Sequence, residues 1–382
     1  MSLRTPLFER ERALGATFLE AFGFELPAHF GDPVTEHRAV RSAAGLFDCT
    51  HAGFVEVSGP HRVRFTNGQV TNDLRSLVDG QGVYAATLTP TGKMVADLHI
   101  YAIGETFLLV TPPGATRAVI DHLQHFRVAD RVTFTDVSQR LGSLLVQGPA
   151  SAAVVEAALG KPLPPPTPQA NLSRHFAPPD GGEPVEVRLC RYSATGEEGF
   201  ELLCPTERLA ALYDRLLEAG RPHGLVPAGH AALDSLRIEA GIPWFGVDMD
   251  SSTNPLEARL EQAVSLHKGC YTGQEVIAKA THIGRVNRLL AGLEFPDGAT
   301  DVEPGAPLRF ADKEVGRITS LVFAPTLGRV VGLGIVRREA AEPGTRLGVT
   351  LGGAARAARP SPDRVERPAV VASLPFYTRS RA

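Results

Sequence analysis

The chain has 382 residues, 43% of them hydrophobic and 21% charged, the make-up of a folded globular protein rather than a disordered chain or a disulfide scaffold. At that length two or three packed units with a large buried core are expected. The 39 Lys and Arg stand against 42 Asp and Glu, and the net charge of −3 gives no general attraction to polyanions, so direct nucleic-acid binding is not expected.

The amino terminus is charged within its first dozen residues and lacks the apolar stretch of a signal peptide. From residue 7 to 22 apolar side chains recur at helical spacing (Leu14, Phe18, Ala21, Phe22), and a second such stretch runs from 34 to 46; both predict amphipathic helices. Between Phe54 and Val110 the pattern changes to short runs rich in β-branched and aromatic residues, at 54–57, 82–88, 94–101 and 106–110. Turn chemistry at 90–92 and 104–105 makes 82–110 an antiparallel meander. Further strands are predicted at 132–137 and 141–146, with a helix over 149–159. The proline run at 161–168 favours an extended surface connection. Strands at 183–192 and 200–203 follow, then helices over 207–218 and 229–241. Beyond Leu289 short strands at 290–295, 307–310, 314–319, 330–336 and 346–351 alternate with Gly and Pro, which suggests a compact all-β domain of barrel or sandwich type. No apolar run reaches the length of a bilayer span, so the expected compartment is cytoplasmic and no membrane partner is expected.

Four cysteines, Cys49, Cys190, Cys204 and Cys270, form no C-x-x-C pair, which argues against a zinc ribbon or a readable iron–sulfur ligand set. The histidines His51, His99, His267 and His282 have no metal-ligand spacing and read as packing or surface residues; no metal is expected. The most informative segment is Lys268-Gly-Cys-Tyr-Thr-Gly-Gln-Glu275. Thr272 with Glu275 three residues on forms a capping box that predicts a helix starting right after Thr272. Cys270 then lies near a helix amino terminus with Lys268 two residues before it, a setting that favours a thiolate; a small buried cysteine in a structural turn is the equal alternative. Glu275 and Lys279 read as a helix-surface pair.

Asp97 lies within an apolar strand and shares a face with Val95, His99 and Tyr101. If that face lines a pocket, Asp97 anchors a cationic or amino-bearing ligand; if it faces water, it is a solvated acid. Glu201 follows a glycine-flanked turn and either accepts paired ligand donors or sits solvated at a hairpin.

Taken in order, Arg4-Thr-Pro-Leu-Phe8, the stretch from Ala44 to Gly53, Thr71-Asn-Asp73, Gly92 to Tyr101, Gln147-Gly-Pro149, Thr195 to Glu201, Arg237 to Asp248, Ala324 to Gly328 and Pro375 to Tyr377 resemble the folate-binding superfamily of the glycine-cleavage T-protein, an aminomethyltransferase, and the YgfZ-type proteins. The resemblance covers almost the whole chain. It implies a three-domain, cloverleaf-like α+β fold with antiparallel sheets and a C-terminal all-β, barrel-like domain. The folate-binding region spans 1–287, as two interleaved domains (1–53 with 138–172 and 206–287; 54–137 with 173–205), and the barrel spans 288–382. It also implies tetrahydrofolate in a central channel. Asp97 matches the aspartate facing the reactive pterin nitrogen, Glu201 the glutamate binding the pterin ring, and Tyr84 an aromatic position of the same cavity. Thr378 falls where an arginine is usual, which makes Arg379, one residue later, a candidate folate contact.

Lys268, Gly269, Cys270, Tyr271, Gly273, Gln274 and Glu275 are similar to the YgfZ-branch signature. That similarity implies a tetrahydrofolate-binding protein supporting assembly or repair of iron–sulfur enzymes, one of which modifies transfer RNA, with iron–sulfur proteins as partners and Cys270 as the branch-specific thiol. Thr111-Pro112, Ala194 and Leu233 depart from the T-protein pattern and weigh against classical aminomethyl transfer. The alternatives are a folate-dependent aminomethyltransferase or demethylase and a catalytically silent scaffold.

Overall fold

The computed structural model describes residues 2–282, 286–296, 298–299, 301–350 and 366–379. Of the predicted features, the last residue of the strand at 346–351, the His282 side chain and the end of the 288–382 domain lie outside them. Two compact units are resolved, one of residues Met1–Leu233 with Gln262–Gln274 and one of Asp234–Glu261 with Glu275–Ala382.

The first predicted helix is cut short. α1 (Phe8–Ala13) ends before Gly15, whose φ of +89° suits glycine alone, and the following residues form a strand instead. β2 (Thr17–Ala21) pairs antiparallel with β3 (Phe24–His29), and β1 (Leu3–Arg4) adds parallel to the other edge of β3. The apolar spacing of Phe18 and Ala21 is thus shared by two elements, and pairing with β3 decides the outcome. α2 (Pro33–Ser42) starts where Asp32 accepts hydrogen bonds from the backbone N–H groups of Val34 and Thr35, with Pro33 at the first helical position. It stops four residues before the predicted end because β4 (Ala44–Asp48), buried at every position, enters the middle of a sheet.

The remaining elements of the first unit build two sheets. β5 (Gly53–Ser58), α3 (Arg62–Asn67), β6 (Gly82–Leu88), β7 (Met94–Ile103), β8 (Thr106–Thr111), α4 (Thr116–Phe126) and β9 (Thr133–Asp136) give a five-stranded antiparallel sheet in the order β6-β7-β8-β5-β9, which contains the expected meander. β10 (Leu141–Gln147), α5 (Ser151–Leu159), β11 (Asn171–Phe176), β12 (Val185–Arg191), β13 (Gly199–Pro205), α6 (Leu209–Gly220) and β14 (Leu225–Pro227) complete a second sheet in the order β11-β12-β13-β10-β4-β14.

Each sheet covers one face with helices. Leu144, Val146, Phe200 and Leu202 pack with Leu212 and Leu216 of α6, while Ala96, Leu98 and Ile100 pack with Val119, Ile120 and Leu123 of α4. Because side chains alternate along a strand, the other faces meet each other. There Phe54, Tyr101, Leu108 and Val110 of one sheet join Cys190 and Leu203 of the other in a shared apolar cluster.

Two further helices, α7 (His230–Glu239) and α8 (Gln274–His282), precede the C-terminal strands. β15 (Arg288–Glu294), β16 (Pro307–Phe310), β17 (Lys313–Ala324), β18 (Arg329–Arg337), β19 (Arg346–Thr350) and β20 (Glu366–Ala372) close into a six-stranded antiparallel barrel. Closure leaves no unpaired sheet edge. The fold class is therefore the expected one: α+β, with antiparallel sheets and a C-terminal β-barrel. Among the described residues no helix is long and apolar enough to cross a membrane.

Candidate functional site

Between the facing sheets the apolar cluster gives way to polar side chains. Along β7, Ala96, Leu98 and Ile100 are buried in core, whereas Val95, Asp97 and His99 keep part of their surface. Asp97 is thus neither sealed in the core nor a fully solvated acid. Tyr84 of the neighbouring strand donates its hydroxyl to Asp97 Oδ2 at 2.8 Å. Asp97 Oδ1 is buried and has no hydrogen-bond partner among the described residues. Desolvation pushes the Asp97 carboxyl up to about 6, against the opposing pull of the Tyr84 hydroxyl.

His99 stacks on Tyr84 at 4.7 Å and meets the edge of Tyr192 at 4.6 Å. Burial lowers its imidazole to about 4, so near neutral pH it is uncharged. Tyr192 follows β12 at a turn, where its backbone carbonyl accepts from Gln147 Nε2 at 2.9 Å. Its phenol lies close enough to both Glu201 and Asp97 to feel their charge, and burial raises it far above its ordinary value.

Glu201 projects from β13 on the face opposite Phe200 and Leu202, toward the other sheet. It is 4% exposed, accepts from the Ser143 hydroxyl at 2.8 Å and meets the Tyr101 hydroxyl at 3.4 Å. Burial raises its carboxyl to about 7. Tyr101 stands four residues beyond Asp97 on the same face of β7, a span of about 13 Å. The two acids therefore mark opposite ends of one polar strip, bridged by His99 and Tyr192. Cys49 lies at the Glu201 end: its backbone N–H donates to the Ser143 carbonyl at 3.0 Å, and burial with neighbouring Asp48 and Glu201 drives its thiol well up.

The Lys268–Glu275 segment departs from its sequence reading. Thr272 gives its hydroxyl to Gln69 Oε1 at 3.0 Å, and α8 begins only at Gln274, so the predicted capping box does not form. Gly273 adopts φ +81°, and a Cβ there would lie 2.7 Å from the Thr89 carbonyl. The Lys268 ammonium is spent on backbone carbonyls of Asn67, Val70 and Asn72 at 2.6, 2.7 and 2.7 Å, with the Tyr271 ring at 5.1 Å. Cys270 and Gly269 are exposed, as is Glu275, while Gln274 is half-buried. The expected helix is therefore present, starting four residues beyond Cys270, while the lysine is turned away from the thiol to backbone carbonyls. Arg379 is an exposed residue of the second unit.

The structure sets Asp97, Tyr84 and Glu201 of the sequence reading along one strip, packs His99 between the rings of Tyr84 and Tyr192 as that reading expects, and adds Tyr192, Ser143 and Cys49, which the sequence reading does not place there. The alternation along β7 already put His99 beside Asp97. Nothing local marks the other three, which come from other strands and turns.

Two family descriptions match the chain: the GCVT N-terminal domain over residues 7–268 and the glycine cleavage T-protein C-terminal barrel domain over 288–377. The aminomethyltransferase of Shouchella clausii is 35% identical over 382 residues, 99% of each chain, and that of Chlorobium luteolum is 34% identical over 380 residues, again 99% of each. The crystal structure of glycine cleavage system aminomethyltransferase T from Bartonella henselae superposes with a TM-score of 0.84 at 27% identity, covering 99% of this chain and 98% of that one. These findings overturn the YgfZ-type reading and, with it, the iron–sulfur partners and the transfer-RNA connection: near full-length relatives carry the aminomethyltransferase name.

Proposed function

The chain belongs to the glycine cleavage T-protein family, and from that premise we propose that it transfers the one-carbon unit of an aminomethyl donor to tetrahydrofolate. The observation that carries this reading is the buried Asp97 carboxyl, held on one oxygen by Tyr84 and with the other unpartnered among the described residues. A reduced folate supplies, when bound, a nucleophilic ring nitrogen that accepts the carbon.

The side chains on the polar strip fit such a molecule. A buried acid with an unpartnered oxygen needs a hydrogen-bond donor or a positive charge, and the amine-rich ring of a reduced pterin has both to offer. Glu201 can accept paired N–H donors, a charge-assisted contact when it is ionised. Tyr84, His99 and Tyr192 provide aromatic surface for a flat heterocycle.

Asp97 stabilises positive charge that develops beside it during transfer and orients the amine for attack. Its desolvated setting strengthens that effect, since the same low dielectric that raises its pKa raises its attraction for a cation. Neutral His99 adds no competing positive charge. Tyr84 holds the carboxylate in one rotamer and keeps it ionised to lower pH than burial alone would allow.

The test is methylene transfer to tetrahydrofolate from an aminomethyl-loaded lipoyl carrier. Wild type is expected to turn over and Asp97→Ala to lose turnover while the carrier remains loaded. No transfer by the wild-type protein, or equal transfer by the variant, would sink the proposal.

A further inference from the structure

Lys268 is 6% exposed. An ammonium has three donors and no acceptor, and here three backbone carbonyls take them, at 2.6, 2.7 and 2.7 Å. The first belongs to Asn67, the last residue of α3, one of the carbonyls that a helix end leaves without an internal partner and that attracts a cation. The other two, Val70 and Asn72, lie on the loop that follows.

That loop is pinned from both sides. Thr71 Oγ1 accepts from the Ala86 N–H at 2.8 Å and donates to the Ala263 carbonyl at 2.6 Å, and the Ser265 N–H donates to the Thr71 carbonyl at 3.0 Å. Asn72 Nδ2 donates to the Tyr84 carbonyl at 2.9 Å. From Tyr84 the chain of bonds ends at the site, with the phenol on Asp97 Oδ2.

We propose that Lys268 is a positioning residue for one-carbon transfer: its ammonium ties α3 to the 67–72 loop, and through Asn72 the tied loop holds Tyr84 so that its hydroxyl stays on Asp97. This rests on the functional reading above only for its consequence in turnover. The charge is expensive to bury, and desolvation lowers the ammonium to about 8 with Asp73 pulling the other way. A surface loop needing only a tether could use an uncharged donor such as an asparagine side chain. Three converging carbonyls call for a compact, three-donor cation, a demand that the planar arginine fork does not meet.

The decisive measurement is the pH titration of Asp97 in the full-length protein, followed by 13C NMR with carboxyl-labelled aspartate and assigned by Asp97→Asn. The titratable groups facing Asp97 are Tyr84 from β6, His99 on its own strand and Tyr192 after β12. The wild-type midpoint is expected near 6. Loss of the Tyr84 hydroxyl removes a bond that favours the anion, so Tyr84→Phe moves the midpoint up by about one pH unit. Lys268→Met and Lys268→Arg are expected to move it the same way, and Lys268→Met combined with Tyr84→Phe no further than either alone. Turnover in the Lys268 variants should fall on the order of ten-fold in kcat with the KM for folate little changed, up to a limit of about a hundred-fold.

A folded Lys268→Met protein with the wild-type Asp97 midpoint would overturn the proposal. Should Lys268→Met fail to fold, Asn72→Leu decides: it leaves the lysine cradle intact and is expected to raise the midpoint, and an unchanged midpoint would equally overturn the proposal. The titration needs no turnover, so a wild-type protein that transfers nothing would dismiss the functional reading while the role of Lys268 in holding Tyr84 on Asp97 would still stand or fall by the midpoint.

Discussion

In the second unit Arg237 is 1% exposed and fully engaged. It bonds Asp234 at 2.7 Å, Asp248 at 2.6 Å, the Ser320 hydroxyl at 2.9 Å and the Ile242 carbonyl at 3.1 Å, and its guanidinium lies 4.2 Å over the Trp244 ring. Asp248 in turn accepts from the Trp244 N–H and the hydroxyls of Thr319 and Ser320. Asp97 and Glu201 in the first unit are also deep in the fold, yet among the described residues no cationic side chain pairs with them and one oxygen of Asp97 has no hydrogen-bond partner. A saturated network holds its unit together and has nothing left to give a ligand. An unsaturated one costs stability and keeps its capacity for binding and proton chemistry.

The sharpest way to break that contrast is at Asp97. Asp97→Asn is expected to lower kcat by about 10² to 10⁴-fold while calorimetry with tetrahydrofolate still registers binding, and wild-type turnover should drop as pH falls through about 6, where Asp97 gains its proton. Full activity in the variant would place Asp97 with the saturated residues.

On the other side, Arg237→Met leaves Asp234 and Asp248 without their cation. It should cost about 3–5 kcal/mol of stability in urea denaturation, with no comparable loss from Asp97→Asn. Similar losses in both variants would erase the distinction.

Glu11 extends the comparison to a third buried acid. It is fully buried in α1, neither carboxylate oxygen has a hydrogen-bond partner among the described residues, and desolvation, then Asp48, pushes it to about 9. An unfolded Glu11 releases its proton near 4.5 while the folded one keeps it to about 9, so the unfolded state binds fewer protons across that window and stability falls as pH rises through it. Glu11→Gln removes the effect. It should be more stable than wild type by up to roughly 3 kcal/mol at pH 7, with a melting-temperature gap that widens from pH 5 to pH 9. A gap constant with pH would show that Glu11 is charged in the fold. The smallest effect belongs to Cys270. Exposed, and with Lys268 turned elsewhere, Cys270→Ser should leave stability within about 0.5 kcal/mol and turnover unchanged; a large loss of turnover would restore it to the site.

Much of this was legible in residue order. The period-two pattern of β7 put Asp97, His99 and Tyr101 on one face, the Gly- and Pro-punctuated strands after Leu289 signalled the barrel, and the ordered motifs pointed to the superfamily and to Glu201. The Lys268–Glu275 signature misled within that superfamily, because similarity in a short segment says nothing of what its side chains touch. Lys268 reaches carbonyls about 200 residues earlier in the chain, a partnership with no local trace.

Strand geometry dictates from sequence alone which residues share a face, because alternation is a property of the backbone. Whether that face meets water, core or a lined hollow depends on what packs across from it, and β12, β13 and their turns are brought there only by folding. That is why Asp97 could be singled out while its setting, the neutral His99, the bridging Tyr192 and the unpartnered oxygen, belongs to the tertiary structure.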